Sequence, residues 1–168
     1  MQTLLLSDEN GNIIGEGSIE ECHTGQGKRH LAFVVAIFNK RGEILVQKRA
    51  MNKRFPLYWE LPASHLFKNE TLDYAIYRTL RRELGIEEKL DYKKIFEFNY
   101  FVRYNSSNIV ENEHCLLFTC EYDGKIIPNY DEIYEYRFLY PVNVLKELKG
   151  EKISEWLRIP LEFLIKTR

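Results

Sequence analysis

Three features of the sequence predict an α+β domain in which a mixed β-sheet core is flanked by helices. Leu31–Phe38 is an unbroken run of eight apolar residues, the pattern of a strand buried on both faces. Thr71–Leu84 has helical periodicity. Around these lie short strand-like segments separated by turn signals, with no repeat, low-complexity stretch or linker to divide the chain. At 168 residues and 20.1 kDa the chain has the size of one domain, residues 1–168, and roughly two thirds of its unfolded surface can be buried on folding.

The elements follow in order. Asp8-Glu9-Asn10-Gly11 lies between two short apolar segments and reads as a hairpin turn, as does Asn39-Lys40-Arg41-Gly42 between Leu31–Phe38 and Glu43–Gln47. The helix from Thr71 has Asn69 or Thr71 as its N-cap and Gly85 at its C-cap, and it completes a strand-loop-helix unit over residues 43–86. Further strands are expected near Lys94–Arg103, Glu113–Glu121 and Ile133–Tyr140, with Asp123-Gly124 as a turn. Pro141 opens a helix to about Leu148, and Ser154–Lys166 forms a last helix that carries Pro160 inside it.

Composition narrows the function classes. The chain is 45% hydrophobic and 29% charged, a globular profile. Its net charge of -1 supplies no global field toward nucleic acid or an anionic membrane, so an anionic ligand must be held by a local basic cluster. The N-terminus lacks the basic and apolar regions of an export signal, and the longest apolar run is too short to cross a bilayer. The three cysteines, Cys22, Cys115 and Cys120, are too few and too irregularly spaced for a disulfide framework, which favours a reducing, cytoplasmic setting.

Several residues break their local pattern. Glu83 projects into the apolar stripe of its helix and sits in the last turn, where the helix dipole disfavours an acid. It reads either as a frayed end or as an inward carboxylate kept for a metal ion or an ionised ligand. Glu111 and Glu113 fall on one face if their strand already holds at Glu111, and two close carboxylates repel unless a cation or a proton lies between them. His114 then faces the other way and reads as structural. His23 and His30 flank Gly25 and Gly27, so they converge only if the loop between them folds back; His65 lies just before the helix. Lys48–Arg54 places four cations in seven residues, either a solvated loop or a cover for a phosphate or diphosphate.

Taken together, Ser64-x5-Glu70-x7-Arg78-Thr79-Leu80-Arg81-Arg82-Glu83-Leu84-Gly85-Ile86 resembles the Nudix box, with Ser64, Thr79 and Arg82 in place of a glycine and two glutamates of that pattern. The chain further resembles one branch of that superfamily, the type I isopentenyl diphosphate isomerases. His23-Thr24, Arg29-His30-Leu31-Ala32-Phe33, Arg49-Ala50, Ser64-His65, Glu83-Leu84-Gly85 and Ile109-Val110-Glu111-Asn112-Glu113 fall in matching order. The resemblance implies a Nudix fold and a divalent-metal site built from His23, His30, His65, Glu111 and Glu113. It implies Mg2+ or Mn2+ there, with Zn2+ also suited to the ligand set, and a second Mg2+ bridging a diphosphate to Glu83. Arg49 and Lys53 match positions that grip the diphosphate, Trp156 matches an indole whose face stabilises a carbocation, and Glu113 matches a catalytic glutamate.

Four positions depart from the family. Ala63 stands two residues before His65, where the catalytic cysteine is expected, and a methyl group cannot move a proton. Phe101 replaces a tyrosine, Thr79 a diphosphate-binding arginine and Ile19 a lysine. Cys22 beside His23 is a poor substitute, because adjacent side chains on an extended segment point apart. The expected activity is therefore metal-dependent isomerisation of isopentenyl diphosphate, weak or altered. The alternatives are hydrolysis of a nucleoside diphosphate derivative and non-catalytic metal or diphosphate binding. The expected partner is a small-molecule diphosphate, with neither nucleic acid nor membrane, and the sequence is silent on oligomeric state.

Overall fold

The computed structural model describes residues 2–167. Its centre is the apolar run, which forms strand β3 (His30–Phe38) with every residue buried. Before it, β1 (Thr3–Ser7) and β2 (Ile13–Ser18) pair antiparallel across the expected Asp8–Gly11 turn. A short helix, α1 (Ile19–His23), follows β2 and carries the first histidine.

β3 is followed by β4 (Ile44–Arg49), β5 (Trp59–Glu60) and β6 (Ala63–His65). Helix α2 (Leu72–Leu84) starts at Thr71, whose hydroxyl accepts from Tyr74 N–H, so Thr71 and not Asn69 is the cap. Gly85 ends it in the left-handed conformation at φ 66°, where a Cβ would fall 2.7 Å from Ile127. β7 (Tyr92–Arg103), β8 (Val110–Glu121) and β9 (Ile133–Leu139) complete the sheet. The chain bends at Gly124 in the irregular segment after β8, and the strands on either side, β8 and β9, pair with different neighbours. Pro141–Asn143 is a 3-10 turn leading into the single turn α3 (Val144–Glu147), shorter than one continuous helix. The last helix is α4 (Glu155–Thr167).

The sheet is mixed. β8 runs parallel to β3 along its whole length, from His30 opposite Glu113 to Phe38 opposite Glu121, while β1, β6 and β4 take successive parts of its other edge antiparallel. Because side chains alternate along a strand, Ala32, Val34, Ala36 and Phe38 face one core with Trp156, Leu157 and Leu161 of α4. Phe33, Val35 and Ile37 face a second core with Ala75, Ile76 and Leu80 of α2. Helices therefore cover both faces, and β3 has no polar face. Among the described residues no helix is long and apolar enough to cross a membrane.

Candidate metal centre and diphosphate cavity

The three histidines converge although they come from three different elements. His23 ends α1, which is fixed by a capping box: Ser18 accepts from Glu21 N–H, and the Glu21 carboxylate accepts from Ser18 N–H. The segment from Cys22 is thus helical rather than extended. Gly27, at φ 61°, then reverses the chain; a Cβ there would fall 2.5 Å from Val110 and 2.9 Å from the Cys22 carbonyl. His30 opens β3, and His65 is held beside it by the Ala32–His65 register. The ring centroids lie 4.8, 4.9 and 5.4 Å apart.

β8 supplies the carboxylates. It begins at Val110, so Glu111 and Glu113 do share one face. One nitrogen from each of His23, His30 and His65 and one oxygen of Glu111 all lie within 4.8 Å of one another. The orientation of two rings is set from outside: His23 Nδ1 donates to the Ile19 carbonyl at 2.7 Å and His30 Nδ1 to the Lys28 carbonyl at 3.0 Å. Their Nε2 atoms are thereby turned toward Glu111 Oε2, at 3.2 and 3.8 Å. Among the described residues His30 Nε2 is buried without a hydrogen-bond partner. Burial pushes the His30 pKa down to about 4, and burial with the neighbouring His30 pushes His65 well below its usual value, so both imidazoles are held neutral. Buried neutral imidazoles aimed at a carboxylate fit a divalent cation.

Glu113 stands one step from this cluster. Burial opposes the charge on both glutamates, but His23 and Glu113 hydrogen-bond to Glu111 and hold its carboxyl well below the usual range. Burial and the Glu111 charge push Glu113 well above it. Of the two, Glu113 is the carboxyl that its surroundings bias toward the protonated form. It also accepts at 2.8 Å from the hydroxyl of Tyr100, its cross-strand partner on β7. Phe101, at the position where a tyrosine is expected, points outward and is half exposed. The hydroxyl is present in the site, delivered by the adjacent residue.

A cavity of about 360 Å³ opens beside these groups, and Arg49, Lys53, Ala63, His65, Glu83, Glu111, Glu113 and Trp156 all line it. Glu83 is buried rather than frayed. Burial and the nearby Glu60 charge raise its pKa to about 8, and among the described residues its Oε2 has no hydrogen-bond partner. Lys53 pairs with Glu132, which also meets Arg82 at 3.7 Å, so the cavity mouth carries both signs. Arg54, from the same basic run, reaches inward and places Nη2 3.5 Å from both His23 and His65 Nε2. Cys22 is fully buried, and burial with Glu21 raises its thiol pKa to about 11. His114 lies outside the site, bonded to Asn99 and Glu97 at 3.0 Å each. Of the box residues, Glu70 and Arg78 form a two-bond ion pair that ties the loop before α2 to the helix.

Sequence reasoning missed Glu60. It is 1% exposed and bonded to Arg49, Gln47 and Trp156. The available signal was a lone acid between Trp59 and Leu61 in an apolar segment.

This fold and this set of donors define a family. The NUDIX domain matches residues 28–158, and the chain belongs to the NUDIX domain family. Within it, the chain is similar to proteins named isopentenyl-diphosphate Delta-isomerase. It is 30% identical to that of Enterobacter sp. (strain 638), over 92% of this chain and 86% of the relative. It is 34% identical to that of Brevibacterium linens, over 80% and 75%. Solved structures carry the same fold: DR0079 from Deinococcus radiodurans superposes with a TM-score of 0.75 at 18% identity, covering 96% of this chain and 98% of that one. A MutT protein from Methanosarcina mazei Go1 superposes with 0.66 at 20% identity, covering 81% and 92%.

Proposed function

We propose that the protein is a divalent-metal-dependent enzyme that interconverts isopentenyl and dimethylallyl diphosphate, with proton transfer weakened by Ala63. The observation that carries this reading is the convergence of His23, His30, His65 and Glu111 within 4.8 Å, beside a cavity that also holds Arg49, Lys53, Glu83 and Trp156. His23, His30, His65, Glu111 and Glu113 would hold Mn2+, Mg2+ or Zn2+, and Glu83 a Mg2+ shared with the diphosphate. A bound cation supplies fixed positive charge that offsets the clustered carboxylates and the diphosphate.

The chain's own residues do the rest. Arg49 and Lys53 bind the anionic end. Isomerisation adds a proton to the terminal alkene carbon and removes one from the carbon nearer the diphosphate, so no atom is gained or lost. Glu113, hydrogen-bonded by Tyr100 at the cavity wall, is the carboxyl placed to exchange a proton with the substrate. The indole face of Trp156 faces the positive charge that develops between the two transfers. Ala63 shares a strand face with His65 and lines the cavity, yet offers nothing that ionises. One proton-transfer face is thereby left without its carrier.

The test is product analysis after incubation of isopentenyl diphosphate with purified protein, Mg2+ and Mn2+. Slow or undetectable dimethylallyl diphosphate is expected, and Ala63→Cys is expected to raise the rate by about a hundredfold or more. Fast turnover by the unaltered chain would remove Ala63 as the limiting feature. Release of phosphate or pyrophosphate instead of isomer would replace isomerisation with hydrolysis.

A further inference from the structure

Glu60 is a buried carboxylate with no part in the metal cluster, and it joins the two ends of the cavity. On β5, paired with β4 so that Glu60 lies opposite Gln47, it accepts from Gln47 Nε2 at 3.1 Å. Its Oε2 accepts from Arg49 Nη1 and from Trp156 Nε1, both at 2.7 Å. Arg49 is also pinned from behind, its Nε donating to the Arg54 carbonyl at 2.7 Å. Its guanidinium lies 5.6 Å from the Trp156 ring centroid. The indole plane is set by the Glu60 bond, by Phe55 packed edge-on at 5.5 Å and by Tyr100 stacked at 5.8 Å. Tyr100 in turn holds Glu113. One oxygen therefore fixes both a cation and an aromatic face, and that face packs on the tyrosine that bonds Glu113.

We propose that Glu60 is a positioning residue that sets substrate selectivity. By holding Arg49 and Trp156 on one carboxylate, it fixes the spacing between the anion-gripping and aromatic ends of the cavity. The site then favours a diphosphate with a short hydrocarbon tail over a bare one. The proposal rests on the reading that Arg49 and Trp156 contact a diphosphate ester. A carboxylate is needed because it alone accepts from three donors while neutralising the Arg49 guanidinium at the cavity wall. Glutamine keeps the volume but loses the charge that holds the guanidinium, and its amide takes the place of the oxygen that accepts from Gln47. Aspartate keeps the charge but falls short of the indole.

Calorimetric titration of the Mn2+- and Mg2+-supplemented protein with isopentenyl diphosphate and with inorganic pyrophosphate tests this. The native chain should bind the ester more tightly than pyrophosphate. Glu60→Gln and Glu60→Asp should each shrink that ratio about tenfold or more, whatever happens to the separate affinities. A purely structural Glu60 would weaken both ligands together and leave the ratio within twofold, which overturns the proposal. Separately, the Trp156 indole N–H resonance should shift in Glu60→Gln while that of Trp59 stays in place. If the Trp156 signal does not move, the positioning link is absent. If the native chain binds neither ligand, the diphosphate reading itself fails and the selectivity role falls with it. A ratio that is unchanged while both ligands bind defeats the selectivity role alone.

Discussion

At the scale of single residues, the site is built from groups whose neighbours decide their chemistry. Glu111 and Glu113 are the same side chain two positions apart, yet His23 favours the charged form of one while burial and that charge push the pKa of the other up. Tyr100 and Phe101 are adjacent rings, yet only Tyr100 faces Glu113. Removing the hydroxyl in Tyr100→Phe leaves a buried acceptor without its donor and should cost about 1–3 kcal/mol in urea unfolding. Phe101→Ala, on the outward face, should change stability by only about 0.5 kcal/mol or less. Equal losses in the two variants would show that the hydroxyl bond contributes nothing.

Among the elements, α1 matters beyond its size. It is five residues long, too short to persist alone, and Ser18 and Glu21 satisfy its first amides so that its last residue, His23, arrives beside His30. Ser18→Ala should therefore destabilise the fold by about 1 kcal/mol and also weaken Mn2+ binding, although Ser18 is not a ligand. Calorimetry of Mn2+ binding checks this; an unchanged affinity would mean that α1 is held by packing alone. The C-terminal helix has a comparable duty. Pro160 offers no N–H to the carbonyl of Trp156, so the turn that carries the indole relies on its side-chain anchors, among them the bond from Trp156 Nε1 to Glu60.

For the whole molecule, the donors come from α1, β3, β6 and β8, so a cation bound there ties the N-terminal part of the chain to the sheet centre. A ligand that binds only the folded state stabilises it by mass action, about 2.7 kcal/mol at a hundredfold excess over its dissociation constant. Melting in Mn2+ should therefore occur about 5–10 °C higher than in excess chelator. His23→Ala should abolish most of that difference, whereas His114→Ala should lower both melting points and preserve it. Equal melting with and without Mn2+ would count against a metal centre.

Much of this was legible in the sequence because it depends on local pattern. The apolar run gave β3, the helical period and Gly85 gave α2, and the order of histidine and glutamate motifs pointed to a family to which the chain does belong. Local pattern could also place Glu83 on an apolar stripe, since that needs only the helical repeat. It could not find α1, because a single turn has no periodicity to read and is stabilised by a cap and by what it packs on. Nor could it find Glu60, whose three partners lie 11, 13 and 96 residues away, or choose Tyr100 over Phe101, which only strand register decides. The sequence by itself determined which chemical groups are available and which secondary elements carry them. Which groups meet, and hence which carboxyl is biased toward protonation and which cation faces the cavity, was decided only by tertiary structure, because charge, burial and hydrogen bonding act through distances that the fold alone sets.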